Sequence, residues 1–236
     1  MSQAIVVRET GSAAVMKLEE HDPGPPASGQ VRVRVVAAGV NFIDVYFRTG
    51  LYPAPLPFVL GREGAGVVDV VGPNVSGLQV GDRVCCMGGG YASHTNLAVV
   101  PRHLCVHLPQ EITFAQGTYG HLAATALHAL RRNDPEFGEY AAVVGLGLVG
   151  QLTAQIHRLA GCYVIGWDTI DLRLKIARHC GINEVTNSAT ENASDATHEF
   201  TNGKGLDSAV LAFGGDGTKV FNELQRSCKR APDGLF

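Results

Sequence analysis

One short stretch, residues 140–160, constrains the fold of this chain more than any other. Residues 140–145 form an all-apolar run. A strand that is apolar on both faces needs cover on both faces, as in a parallel sheet with helices above and below it. Directly after it, Val149, Leu152, Ile156 and Leu159 recur at helical spacing. The join, Val143-Val144-Gly145-Leu146-Gly147-Leu148-Val149-Gly150, fits G-x-G-x-x-G. That motif carries meaning only between a strand and a helix, which is its setting here. Gly145 permits the tight turn, Gly147 lets a ligand approach the backbone, and Gly150 lets the helix pack close to the strand. Gly145, Leu146, Gly147, Leu148, Val149 and Gly150 together are expected to offer free N–H groups and a helix dipole to the pyrophosphate of a dinucleotide.

The rest of the C-terminal half repeats the strand–helix alternation. Residues 162–167 form a second apolar run, and Asp171 stands where the N-cap of the next helix belongs. Gly181 is placed to end that helix. A short third strand at 184–186, a helix at 193–201, a fourth strand at 206–213 and a fourth helix at 218–226 complete the pattern. The fold class is therefore α/β, with a doubly wound parallel Rossmann sheet of order 3-2-1-4. Pro232-Asp233-Gly234 signals a turn, after which a fifth strand belongs, so the sheet reads as C-terminally truncated. Asp168 ends the second strand, about 20 residues beyond the glycines, where a carboxylate accepts hydrogen bonds from the adenine-side ribose and repels a 2′-phosphate. Arg173 points the other way, because a guanidinium pairs with a 2′-phosphate. The expected cofactor is NAD(P)H, with NADH slightly favoured.

Before residue 118 the pattern differs, and the domains are read as 1–118 and 119–236. Along residues 30–38, Val31, Val33 and Val35 alternate with Arg32 and Arg34, as in a half-buried strand. Residues 64–71 and 79–86 also read as strands bounded by Gly or Pro. The prolines at 53, 55 and 57 require a loop. This half reads as a small, mostly antiparallel β domain.

Bulk properties exclude several function classes. A formal net charge of −3 provides no basic field for nucleic acid or an anionic membrane. The longest apolar stretch, around 141–150, is too short to span a bilayer, and no signal peptide is visible, so a cytoplasmic location is expected. The six cysteines lack the spacing of a disulfide framework or a zinc ribbon and read as small buried hydrophobes. His103 and His107 read as sharing one face of a strand, and all nine histidines read as structural or surface residues.

The segment Gly39-Val40-Asn41-Phe42-Ile43-Asp44-Val45-Tyr46-Phe47-Arg48-Thr49-Gly50-Leu51-Tyr52-Pro53 closely resembles quinone oxidoreductases of the medium-chain dehydrogenase/reductase superfamily, which is zinc-type alcohol dehydrogenase-like. Further matches follow in the family's order: Gly61-Arg62-Glu63-Gly64-Ala65-Gly66-Val67-Val68, Val80-Gly81-Asp82-Arg83-Val84 and Gly90-Tyr91-Ala92. The resemblance implies a GroES-like β domain joined to a Rossmann domain, with the active site in the cleft between them. It implies hydride transfer from NAD(P)H to a small-molecule quinone or enone, in a homodimer. Zinc-dependent members place a cysteine where Asn41 stands and a histidine where Arg62 stands. An amide and a guanidinium do not replace thiolate and imidazole on zinc, so no metal is expected. The family match supplies Asn41 and Tyr46 as catalytic donors to the developing oxyanion. Asp44 reads as a loop organiser and Arg48 as a partner of Asp44 or of the cofactor phosphates, and Thr125 matches a threonine that lies near the nicotinamide carboxamide in this family. Two other readings stay open: a medium-chain enoyl reductase of different substrate, and a truncated, non-catalytic dinucleotide-binding protein.

Overall fold

Alternation along residues 30–38 builds the first sheet. In the computed structural model, which describes residues 2–229, Val31 and Val33 have no exposed surface. On the opposite face, Arg32 pairs with Asp69 across the strands, with Nε donating to Oδ2 at 2.8 Å. The chain divides into two units between His121 and Leu122.

The first unit contains β1 (Gln3–Val7), β2 (Met16–Glu20), β3 (Gln30–Ala38), α1 (Phe42–Thr49), β4 (Phe58–Val59), β5 (Glu63–Val71), β6 (Arg83–Met87), β7 (Leu97–Pro101), β8 (Cys105–His107) and α2 (Phe114–Gly117). A five-stranded sheet runs β7-β3-β5-β6-β8 and a three-stranded sheet runs β2-β1-β4. Every strand pair in both is antiparallel, as the sequence pattern predicts. The core of the larger sheet is aliphatic, centred on Val31, Val33, Val68, Val84 and Val100.

Two features of the first unit differ from the sequence expectation. The strand read at 79–86 begins only at Arg83, because residues 79–82 form a turn. Asp82 closes it: its carboxylate accepts from the Gln79 amide at 2.8 Å, and its own N–H donates to the Gln79 carbonyl. His103 does not share a strand face with His107. It lies in a 3₁₀ turn, Arg102–Leu104, while His107 sits in β8 and its Nε2 meets the Gly77 carbonyl at 2.9 Å.

The helix α3 (Gly120–Asn133) is followed by β9 (Tyr140–Val144), α4 (Leu148–Leu159), β10 (Tyr163–Asp168), α5 (Asp171–His179), β11 (Glu184–Asn187), α6 (Ala193–Phe200), β12 (Ser208–Leu211) and α7 (Thr218–Ser227). The strands form a parallel sheet of order β11-β10-β9-β12, the expected 3-2-1-4. Alternate residues of β9 serve two separate cores. Ala141 and Val143 pack with Leu146, Ala154 and Val164, whereas Ala142 and Val144 pack with Ile165, Trp167 and Leu206. That is why the run is apolar throughout. Asp171 is not the N-cap of α5. Ile170 holds that position, and Asp171 is the first helical residue, its carboxylate accepting from Asn187 Nδ2 at 2.7 Å. Gly181, with φ of 81°, lies just past the end of the helix. The turn read at Pro232–Gly234 lies outside the described residues. Among the described residues, no helix is long and apolar enough to cross a membrane.

A buried imidazole links this core to pH. His157 of α4 has no exposed surface. Its Nδ1 donates to the Thr153 carbonyl at 2.8 Å, and its Nε2 accepts from Asn133 Nδ2 at 3.1 Å. Asn133 Nδ2 also reaches Ser208 Oγ at 2.8 Å. Burial pushes the His157 pKa down from its ordinary 6.5. The unfolded chain then binds a proton that the folded chain refuses. The stability this residue contributes is present above pH 6.5 and lost as pH falls below it. Unfolding of His157→Gln, followed by denaturant between pH 8 and 5, is expected to show a shallower loss of stability on acidification than the parent. Parallel curves for the two proteins would refute the assignment.

Candidate functional site

The glycine-rich join connects β9 to α4. Gly145 has φ of 87°, a conformation that L side chains rarely adopt. Its N–H donates to the Trp167 carbonyl at 2.8 Å. Gly147 is the N-cap of α4 and makes no side-chain cap bond. A Cβ there would meet no atom within 4 Å, so the space above it is open to a ligand. Gly150 faces inward, where a Cβ would stand 1.8 Å from the Gly145 carbonyl oxygen. Leu148 is exposed, on the first turn of α4. Val149 is half-buried. Leu146 is fully buried, and its N–H, like that of Gly145, is already taken: it donates to Asp168 Oδ2 at 2.6 Å. Leu146 therefore has no free N–H for phosphate, and its place is in the core beneath the loop. The open cradle over Gly147 and the N-terminus of α4 fit a dinucleotide pyrophosphate.

Asp168, at the end of β10, is buried and already engaged. Its Oδ2 takes the Leu146 N–H and lies 3.4 Å from Arg173 Nη1, while Oδ1 accepts from the Ile170 N–H at 2.9 Å. Each carboxylate oxygen has two acceptor sites, which leaves capacity for a ribose hydroxyl. The Arg173 side chain is 42% exposed. Gln151, which the sequence reading passed over, ties these parts together. Its Nε2 donates to the Leu146 carbonyl at 3.1 Å and to the Arg173 carbonyl at 2.8 Å. The available signal was a polar residue within the amphipathic stretch of α4, and Gln151 is buried there. Thr125 is exposed on α3, next to fully buried Ala126.

In the first unit, Asn41 is the N-cap of α1 and forms a reciprocal capping box with Asp44. Its Oδ1 accepts from the Phe42 N–H at 3.0 Å, and Asp44 Oδ2 accepts from the Asn41 N–H at 2.9 Å. Asp44 thus organises the loop. The Asn41 Nδ2 donates to Glu63 Oε1 at 3.1 Å. Glu63 is 5% exposed, and the same oxygen lies 3.2 Å from His121 Nδ1. Sequence reading assigned Glu63 no role and placed His121 among the surface or structural histidines. The available signal was a lone carboxylate opening a buried strand.

Tyr46 is 36% exposed, and its ring lies 5.4 Å from that of Tyr52. Val40 and Phe42 are also exposed, so this end of α1 presents apolar and aromatic surface. The Arg48 guanidinium donates to the Gly11 carbonyl rather than pairing with Asp44. Arg62 rests over the Phe47 ring, with Cζ 5.5 Å from the centroid. A cavity of about 700 Å³ lies behind α1, lined by Asp44, Phe47, Phe58, Arg62 and Tyr91 among others. Neither Asn41 nor Tyr46 lines it. An amide used as a helix cap and a guanidinium stacked on a ring form no donor set for zinc. Among the described residues, no cluster of three or more His, Cys, Asp or Glu is placed to hold a metal ion.

Residues 27–123 match the model of the alcohol dehydrogenase GroES-like domain, and residues 149–230 match that of zinc-binding dehydrogenases. The chain is 31% identical over 228 residues to the 2-haloacrylate reductase of a Burkholderia species, covering 92% of this chain and 68% of that protein. It is 36% identical over 211 residues to the quinone oxidoreductase of Pseudomonas aeruginosa, covering 86% of this chain and 64% of that protein. The chain belongs to the quinone oxidoreductase family of the medium-chain dehydrogenases/reductases. It spans somewhat less than two thirds of the Pseudomonas relative. The solved quinone oxidoreductase of Escherichia coli, complexed with NADPH, superposes with a TM-score of 0.83 at 28% identity, covering 97% of this chain and 70% of that one. As in other members of this family, the fold pairs a GroES-like β unit with a Rossmann-like parallel sheet.

The glycines at 147 and 150 separate binding from folding. Gly147→Ala is expected to keep the parent's stability, because the added methyl meets open space, and to weaken NADH binding about tenfold or more. Gly150→Ala is expected to lose about 1–3 kcal/mol of stability, because the helix must move off the Gly145 carbonyl. Fluorescence titration with NADH and denaturant unfolding check the pair; equal stability losses would refute the distinction.

Proposed function

We propose that this chain carries the machinery of an NAD(P)H-dependent reductase acting on a quinone or an enone without zinc. The observation that carries the proposal is the pairing of two features in one chain. One is the open cradle over Gly147. The other is an amide, Asn41, held by a buried carboxylate at the position where zinc-dependent relatives keep a metal thiolate. In this reading the N-terminal domain, 1–118, receives the acceptor and the C-terminal domain, 119–236, holds the dinucleotide, in a soluble homodimer.

The dinucleotide supplies a hydride from C4 of its dihydronicotinamide ring. The chain then has to stabilise the oxyanion that develops on the acceptor and see it protonated. The remaining Asn41 amide hydrogen and the Tyr46 phenol are the donors assigned to that oxygen. The Tyr46 and Tyr52 rings, tilted 58° to each other, line this surface with aromatic groups against which a planar acceptor can pack. Gly145, Gly147, Leu148, Val149 and Gly150 shape the pyrophosphate cradle, Thr125 is assigned to the carboxamide, and Asp168 and Arg173 flank the adenine-side ribose.

A simple benzoquinone and NADH are the test pair. The unmutated chain is expected to oxidise NADH in the presence of the quinone. Asn41→Ser keeps a side-chain oxygen for the helix cap but removes the amide, and is expected to lower kcat about 10²-fold or more. Dinucleotide binding without turnover in the unmutated chain would overturn the enzyme reading in favour of a binding protein. The 2-haloacrylate reductase relative favours a second reading, an activated alkene as acceptor, and substituting a 2-haloacrylate for the quinone distinguishes the two.

Asp168 favours NADH, and Arg173 leaves NADPH acceptable. Asp168→Ser is expected to raise the ratio of kcat/KM for NADPH over NADH about tenfold. A clear NADPH preference in the unmutated chain would show that Arg173 outweighs the carboxylate.

A further inference from the structure

Glu63 is the least expected charge in the first unit. It is 5% exposed, and it opens β5, next to Gly64 and Ala65 in a buried strand. Burying a carboxylate is expensive unless hydrogen bonds repay its lost hydration. Two donors converge on one of its oxygens: Asn41 Nδ2 at 3.1 Å and His121 Nδ1 at 3.2 Å.

The backbone builds this meeting from three directions. The β3–β5 register pairs Ala38 with Gly64, and the Gly39 N–H donates to the Glu63 carbonyl at 3.0 Å. The loop that leads to Asn41 therefore runs directly beside Glu63. His121 arrives from the first turn of α3. Gly39 forms the floor, because a Cβ there would stand 2.6 Å from Glu63 Oε2. The Gly39 carbonyl is held in turn by His94 Nε2 at 2.8 Å.

We infer that Glu63 is a positioning residue, braced by His121, that fixes the direction of the Asn41 amide. This rests on the reading of Asn41 as an oxyanion donor. An N-cap needs only the Asn41 oxygen, and serine or aspartate would serve as well. What the cap does not fix is where the amide hydrogens point. With Oδ1 turned to the helix and one Nδ2 hydrogen taken by Glu63, a single hydrogen of set direction remains for an acceptor oxygen. A donor fixed before the reaction is worth more than one that must reorient during it. The requirement on residue 63 is an acceptor oxygen at this place, rather than a negative charge.

Steady-state kinetics on the full chain test the inference. Glu63→Leu is expected to lower kcat about tenfold to a hundredfold, with KM for the dinucleotide unchanged. Glu63→Gln retains an acceptor oxygen and is expected to stay within about threefold of the parent, a difference of well under 1 kcal/mol. Equal losses in the two variants would overturn the inference. So would additive losses in Asn41→Ser combined with Glu63→Leu, because a residue acting through Asn41 has nothing left to position. Side-chain amide NMR keeps the question open to refutation if Glu63→Leu fails to fold. The Asn41 amide pair, assigned by its absence in Asn41→Ser, is expected to show one proton exchanging with water more slowly than the other. Two protons exchanging equally fast would overturn the inference. If the parent turns over neither quinone nor alkene, the proposed function fails, while the exchange measurement still decides whether Glu63 holds the amide.

Discussion

The second unit depends on a strand with no exposed face. Because β9 is buried on both sides, it must lie inside a parallel sheet, and the chain must leave it at the carboxyl end of the strand and return as a covering helix. That exit is the glycine-rich join. A positive φ at Gly145 turns the chain, and the bare Cα of Gly150 lets α4 settle against the turn. The open space over Gly147 is thus a by-product of packing. The same contacts that close the hydrophobic core point the first N–H groups of α4 outward.

A similar economy holds in the first unit. Asn41 has two separable tasks, one for each end of its amide. The oxygen starts α1, and the nitrogen reaches Glu63. Where zinc-dependent relatives keep a thiolate, this chain keeps a hydrogen-bonding group already committed to the fold. Arg62 makes the same point, since its guanidinium is occupied by the Phe47 ring. Asn41 and Arg62 both have structural partners of their own.

Much of this was legible in the sequence. The order of the parallel sheet followed from the alternation of apolar runs and helical periodicity, because those patterns record burial directly. The β domain followed from period-two alternation and Gly/Pro punctuation. What escaped was side-chain commitment, which depends on three-dimensional neighbours. Leu146 looked like a phosphate contact, but its N–H belongs to Asp168. Asp171 looked like a cap, yet the helix starts one residue earlier and its carboxylate serves Asn187. Residues 79–82 looked like the start of a strand because nothing local shows that the Asp82 carboxylate folds back on Gln79. Glu63 sat inside a family-matching segment that says nothing of its partners, His121 and Gln151 carried no motif, and the contacts of the three reach 22, 58 and 5 or 22 residues along the chain.

Gln151 and Asp168 have one more consequence. Between them they hold both the N–H and the carbonyl of Leu146, and each also reaches the start of α5. The glycine-rich loop is therefore ordered from beneath, by side chains that belong to the folded core. Under the proposed function, an arriving dinucleotide would meet a loop already held in place and would lose little affinity to ordering it. Its effect on the melting of this unit then follows from mass action on the native state alone.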